Sequence, residues 1–170
     1  MKLSNNKYQK SLSIEEIDMF FETHLPYRLA MLNTFNNNIW NDSEFRKSPD
    51  YIKLRICAVE SSRIAGRFFI QFMGLKVERG VLISTTKVNR DDVQLCDLGG
   101  TNINPLTLND RDKEILIKVY ITGNKSTAHI TFDSLKNTGY PDILDAGTNL
   151  INKLLKDNLY NIVSKEMKML

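Results

Sequence analysis

Apolar residues recur at steps of three and four along four stretches of the chain, which is the period of an amphipathic α-helix. Residues that favour a helix start precede them, such as the capping box of Ser13 and Glu16 or the acidic residues after Asn109. Pro26 lies inside the first stretch and predicts a kink or a break near residues 22–25, because proline cannot donate a backbone hydrogen bond. The predicted helices span residues 13–35, 48–73, 109–130 and 141–165.

The chain changes character between the second and the third helix. Residues 81–86 and 93–98 are short runs rich in β-prone side chains, and a polar stretch separates them. This pattern predicts a small β-hairpin within residues 80–98. Two strands alone are only marginally stable, so the hairpin should pack on a helix.

The chain of 170 residues fits one domain and is long enough to bury a core. Hydrophobic residues make up 42% and charged residues 25% of it, which is ordinary for a globular protein. The second helix should bury Phe68 and Phe72, which recur on its apolar face. We therefore predict a mainly α domain over residues 1–170. It is a helical bundle of about four main helices, with a frayed N-terminus over residues 1–12 and a hairpin and loop region inserted at residues 76–108.

Composition and charge disfavour several classes of function. A net charge of +3 is too mild to predict nucleic-acid binding from bulk charge alone. Cys57 and Cys96 lack paired spacing and the only histidines are His24 and His129, so no zinc site, other metal or cofactor is predicted. Unpaired cysteines and an N-terminus without the apolar core of a signal peptide predict a cytoplasmic protein. No window approaches about 18 uninterrupted apolar residues, so no membrane span is predicted.

The third predicted helix runs into a polar cluster, which is the candidate chemical site. Lys125 and His129 are four residues apart, so their side chains should meet on one helical face. One interpretation makes His129 a structural residue or a partner of the helix C-terminal dipole. The other makes His129 an acid–base catalyst or a phosphate contact, with Lys125 holding the anion. Asn124 and Ser126 would then bind the substrate by hydrogen bonds.

A bound phosphate needs more positive charge than one lysine supplies, and two arginines on other helices are candidates to provide it. Arg28 lies four residues after His24, where the pair either packs on the core or forms a polar site at the edge of the bundle. Arg63 lies on a strip of the second helix that is either a solvated face with local ion pairs or a phosphate-contacting surface. We predict that Arg28 or Arg63 joins the substrate-binding site.

The run from Gly123 to His129 resembles the late-helix motif of HEPN-domain proteins, which are small helical bundles common in bacterial toxin–antitoxin and abortive-infection systems. In that family an arginine, usually followed by a polar residue, precedes a histidine by about a turn and a half. Asn124 matches the polar position and His129 the histidine, whereas Gly123 stands where the arginine is expected. The resemblance implies a dimer with paired motifs at the interface and, as in many members, metal-independent ribonuclease activity.

Because the motif arginine is missing, the resemblance favours a non-catalytic or degenerate HEPN-like interaction module of a bacterial defence or toxin–antitoxin type system. The alternative is a metal-independent endoribonuclease, in which His129 is the catalytic residue and Lys125 stabilises the charge of the phosphate. The expected partners are a second copy of the chain in a homodimer, another protein, or RNA, and no membrane.

Overall fold

The chain folds mainly into α-helices with one inserted β-hairpin, which confirms the predicted fold class. The computed structural model describes residues 12–85, 92–128 and 141–162. Its helices are α1 Ile14–Met19, α2 Leu25–Asn33, α3 Ser43–Arg46, α4 Tyr51–Phe72, α5 Asp110–Ala128 and α6 Pro141–Leu155. Its strands are β1 Leu75–Glu78 and β2 Val81–Ser84, and short 3₁₀ or π turns extend or connect the helices. Within the described ranges, no helix combines the length and the apolar character needed to cross a membrane.

The first helical segment begins and becomes irregular where its sequence predicts. The N–H of Glu16 donates to Ser13 Oγ over 3.2 Å, and the N–H of Ser13 donates to Glu16 Oε2 over 2.8 Å, which completes the capping box. A π-helical turn, Phe20–His24, then joins α1 to α2. The extra residue in this turn accommodates Pro26, so the helix continues through the predicted irregularity instead of breaking.

α4 is the central helix, and α2, α5 and α6 pack around it. Its Ala65 and Phe69 are fully buried. Where α5 crosses it, a Cβ at Gly66 would lie 2.7 Å from Val119 Cγ1, so the observed spacing requires glycine. On its other side Val119 packs against Gly147 of α6, where a Cβ would also overlap it. Val119 is therefore held between two glycines, which set the spacing of α4, α5 and α6.

The buried face of α4 differs from the predicted one at one aromatic position. Phe72 is buried as predicted, but Phe68 is only half-buried, and the fully buried ring belongs to its neighbour Phe69. The reason is that α2 and α5 pack on two sides of α4, so the buried arc is wider than a single stripe. Phe68 lies at the edge of this arc, where the guanidinium of Arg28 lies 5.0 Å from the centre of its ring.

The predicted hairpin is present, but the predicted pairing of its strands is wrong. β2 pairs in antiparallel fashion with β1, which precedes it, and not with residues 93–98. Arg79 and Gly80 connect the two strands with φ angles of 51° and 79°. Two successive residues with positive φ form the type I′ turn, whose twist matches that of a hairpin.

Residues 93–98 form no strand with β2 because their backbone is satisfied in other ways. Leu95–Leu98 is a 3₁₀ turn, and the N–H of Cys96 donates to Asn102 Oδ1 over 3.2 Å. The N–H of Ile103 donates to a backbone oxygen at the end of α4 over 3.0 Å. This segment therefore packs as a loop on the end of the central helix.

We expect Phe69→Ala to lower the free energy of unfolding by about 3–5 kcal/mol, because it removes a fully buried ring and leaves a cavity. Phe68→Ala should lower the free energy of unfolding by clearly less, because the ring of Phe68 is already partly exposed to water. Urea denaturation measures both losses, and Lys53→Ala, at an exposed position of the same helix, is the control, expected within about 0.5 kcal/mol of the parent. Equal losses for the two phenylalanines would contradict the assignment of Phe69 to the core.

Candidate functional site

The predicted chemical site begins in the last turns of α5, and the structure describes part of it. Asn124 is half-buried on α5. Lys125 and Ser126 belong to the same helix, but their side chains lie outside the described residues, and so does the whole of His129. The meeting of Lys125 with His129 therefore stays a prediction, as do the substrate-binding roles of Asn124 and Ser126.

Gly123, the position at which the resembling family has its arginine, is a point of close approach between α5 and α4. A Cβ built there would lie 2.7 Å from Arg63 O and 2.7 Å from Arg67 Cβ. Because position 119 meets Gly66 while position 123 meets Arg63, α5 runs antiparallel to α4. Any side chain at position 123 would push the two helices apart, so the crossing has no room for the motif arginine.

Two arginines of α4 flank this crossing. Arg63 Nη1 forms an ion pair with Glu60 Oε1 at 2.8 Å, with only 18% of the Arg63 side chain exposed. The guanidinium of Arg67 lies 5.8 Å from the centre of the Tyr120 ring in α5. The Nε atoms of both arginines are buried without a hydrogen-bond partner in the described part of the chain. The structure thus places Arg63 beside the segment of α5 that leads to Lys125, and its role in substrate binding stays a prediction.

Arg28 lies in a different region from Arg63. Its guanidinium is 5.0 Å from the centre of the Phe68 ring and 5.6 Å from that of the Tyr27 ring. Phe68 follows Arg63 by five residues, which is almost one and a half helical turns, so the two project from different sides of α4. The arginines that the sequence offers as alternatives therefore belong to two separate places in the molecule.

Arg28 lines a pocket of about 550 Å³ beside α4. The first helical segment, α4, α5, the hairpin region and the loop after it all contribute to its walls. Its lining residues are Phe20, His24, Arg28, Phe68, Gln71, Phe72, Lys76, Thr85, Asp92, Val93, Gln94 and Tyr120. Ligand sites commonly enclose about 300–1,000 Å³, so this pocket is large enough for a small organic molecule.

Three phenylalanines form an aromatic wall in this pocket. The rings of Phe68 and Phe72 are 5.9 Å apart with planes at 8°, and those of Phe20 and Phe72 are 5.4 Å apart at 26°. The imidazole of His24 is 6.3 Å from the ring of Phe20. The wall therefore joins the π turn of the first segment to the end of α4.

The sequence pattern identified only part of this pocket. His24 and Arg28 were candidates for a polar site at the edge of the bundle because of their spacing of four. Phe68 and Phe72 have the same spacing, which was the available signal for the aromatic wall. Lys76 was missed, because its place beside the wall depends on β1, which the sequence pattern did not identify as a strand.

Cys96 lacks the environment of a catalytic nucleophile. It is half-buried, whereas Cys57 is exposed. Burial, helped by the negative charge of Asp97, raises the pKa of the Cys96 thiol, so it stays protonated near neutral pH. Among the described residues, no three side chains of His, Cys, Asp or Glu come together as a metal site requires.

No protein-family model, no curated protein and no solved structure matches the chain. Two regions of the molecule bear on its function. They are the crossing of α4 and α5 at Gly123 and the pocket that Arg28 lines.

We expect Gly123→Ala to destabilise the fold, although alanine is favoured over glycine by about 1 kcal/mol inside a helix. The added methyl group would overlap Arg63 O and Arg67 Cβ, and such overpacking typically costs about 1–3 kcal/mol. Thermal and urea unfolding measure the loss, with Arg111→Ala at the exposed start of α5 as the near-neutral control. A stabilised Gly123→Ala variant would show that the helices separate easily, and would remove the steric argument against an arginine.

Proposed function

We propose that this chain is a non-catalytic, HEPN-like interaction module of a bacterial defence or toxin–antitoxin type system. The observation that carries the proposal is the closed crossing at Gly123, where a ribonuclease of that family needs its motif arginine. A guanidinium stabilises phosphate charge through two parallel hydrogen bonds, and Lys125 lacks this forked geometry. Because the crossing has no room for a side chain at position 123, we infer that the chain binds a partner and does not cleave RNA.

A second observation supports an interaction role. Ile52 and Ile56, spaced by four on the first half of α4, are 64% and 58% exposed, and the half-buried Val59 continues the same face. Exposed apolar side chains along one face are typical of protein–protein contacts. The three residues Ile52, Ile56 and Val59 are called the apolar stripe. Because α5 is antiparallel to α4, the first half of α4, which carries this apolar stripe, lies at the same end of the bundle as the C-terminal end of α5. The family resemblance expects the dimer interface there, so we propose a second copy of this chain as its occupant.

The second candidate is a metal-independent endoribonuclease, which the position of Arg63 favours. Arg63 and Arg67 lie against Gly123 and would supply positive charge in place of the missing motif arginine. His129 would take the proton of a ribose 2′-OH, whose oxygen attacks the adjacent phosphorus and expels the 5′-oxygen of the next nucleotide. The expelled oxygen takes up a proton, so the products are a 2′,3′-cyclic phosphate and a 5′-hydroxyl end.

We expect the purified protein to leave single-stranded RNA intact, with or without a chelator, because the crossing at Gly123 excludes the motif arginine. The His129→Ala variant, purified in parallel, is the control for contaminating nuclease and should give the same background. Gel analysis of a labelled RNA measures both. Cleavage that persists in the chelator and disappears in His129→Ala would overturn the non-catalytic proposal in favour of the ribonuclease.

We expect the chain to be a dimer in solution at micromolar concentration, because pairing covers the apolar stripe. Light scattering after size-exclusion chromatography measures its mass. Replacing both stripe isoleucines, Ile52→Glu and Ile56→Glu, should give a monomer, since an apolar contact buries unpaired charge only at high cost. Leu106→Glu, at an 86% exposed position before α5, is the matched control and should stay dimeric. A monomeric parent, or a dimeric double variant, would refute this interface.

A further inference from the structure

Arg28 carries a charge that no carboxylate in the described part of the chain neutralises. Its Nη1 approaches the thioether sulfur of Met31 at 3.9 Å, and its guanidinium lies over the ring of Phe68. Arg63, in contrast, is paired with Glu60. A guanidinium that lies over an aromatic ring at the wall of a pocket keeps its forked donors available for an anion from solution.

We propose that this pocket binds a small ligand in which a flat aromatic ring carries an anionic group, such as a nucleoside monophosphate or an aryl carboxylate. Arg28 holds the anionic group, and the ring of the ligand lies against the aromatic wall. Lys76 and His24 also line the pocket, and Lys76 forms an ion pair with Glu78 at 3.0 Å. This site is separate from the proposed interaction function, because it uses neither the crossing at Gly123 nor the apolar stripe.

The aromatic lining of the pocket is the reason to expect a ring in the ligand. Phe20, Phe68 and Phe72 stack on one another, and Phe72 is only 2% exposed. Phe20 and Phe68 are half-buried, so the accessible parts of these two rings offer apolar contact area, against which an aromatic ring of a ligand packs in an offset or edge-on geometry. An inorganic anion alone would leave this area in contact with water, whereas a ring-bearing anion covers part of it and still reaches Arg28.

The polar lining limits the size and charge of the ligand. Gln94 is buried, and its Oε1 accepts a hydrogen bond from Asn102 Nδ2 over 2.8 Å, so its amide nitrogen is the group that can donate to a ligand. Asp92 is also part of the lining, and a carboxylate there repels a highly charged anion, so a monoanion or dianion suits the pocket better than a polyphosphate. A volume of about 550 Å³ suits one such molecule.

Isothermal titration calorimetry of the full chain at low ionic strength tests the proposal. The ligands are adenosine and uridine 5′-monophosphates, indole-3-acetate, inorganic phosphate and uncharged adenosine. A ring-bearing anion should bind saturably and about tenfold or more tighter than phosphate or adenosine, because only it engages both Arg28 and the wall. Tighter binding of the monophosphates identifies phosphate as the anionic group, and tighter binding of indole-3-acetate identifies a carboxylate.

Variants of single cations locate the binding. Arg28→Met keeps an apolar side chain over Phe68 but removes the charge, and should weaken binding by about tenfold or more. Arg55→Met is the matched control, because Arg55 also lies over rings, at 5.8 Å from Phe35 and 5.9 Å from Tyr51, yet does not line the pocket. It should bind like the parent chain.

Thermal unfolding of each variant checks that it is folded, and Arg28→Gln replaces Arg28→Met as the test if the latter fails to fold. Three results would each overturn the proposal. They are no binding of any ring-bearing anion at millimolar concentration, inorganic phosphate binding as tightly as the ring-bearing anions, or unchanged affinity in the folded Arg28→Met or Arg28→Gln variant.

Discussion

The packing of Val119 between Gly66 and Gly147 is the contact on which the rest of this structure depends. With no Cβ on either glycine, α4 and α6 approach the branched side chain of α5 from both sides. One helical turn later the same closeness brings the backbone of α4 against Gly123. The spacing that seals the core thus also decides which side chains the candidate site can hold, and it leaves glycine as the residue that fits there.

The two sides of α4 present different kinds of side chain to the neighbouring helices. Toward α5 it presents Arg63, which pairs with Glu60, and Arg67, whose guanidinium lies over the ring of Tyr120. Toward the first helical segment it presents phenylalanines, and Arg28 lies above them. Positive charge in a helical bundle is therefore not informative by itself, because its availability depends on what the neighbouring helix places next to it.

Local signals in the sequence predicted the helices well, because capping and proline act within one or two turns. Ser13 caps α1, and the irregularity falls just before Pro26. The pairing of β2 was not predictable from β-propensity alone, since the turn at Arg79 and Gly80 decided it against residues 93–98. The burial of Phe69 in place of Phe68 required knowing that α2 and α5 pack on two sides of α4.

The candidate sites depend even more on tertiary packing, which local sequence signals do not reveal. The α5 cluster was visible because Lys125 and His129 are neighbours in the sequence, yet the steric closure at Gly123 comes from α4 and has no local signal. The pocket of Arg28 gathers residues from several separate segments, so their proximity is a property of the tertiary packing. Spacing within one helix could show only the pairs His24 with Arg28 and Phe68 with Phe72.

The π turn Phe20–His24 has a consequence for the helical phase of the whole first segment. In an α-helix each residue advances by about 100°, so positions spaced by four drift by about 40° at every step. A π turn rotates less per residue and cancels part of this drift, which keeps Phe20, His24 and Arg28 in line along one side of the segment. With ordinary α-helical rotation throughout, the eight residues from Phe20 to Arg28 would leave these two side chains about 80° apart around the helix axis. The wall of the pocket thus depends on the conformation of this turn as well as on the residues in it.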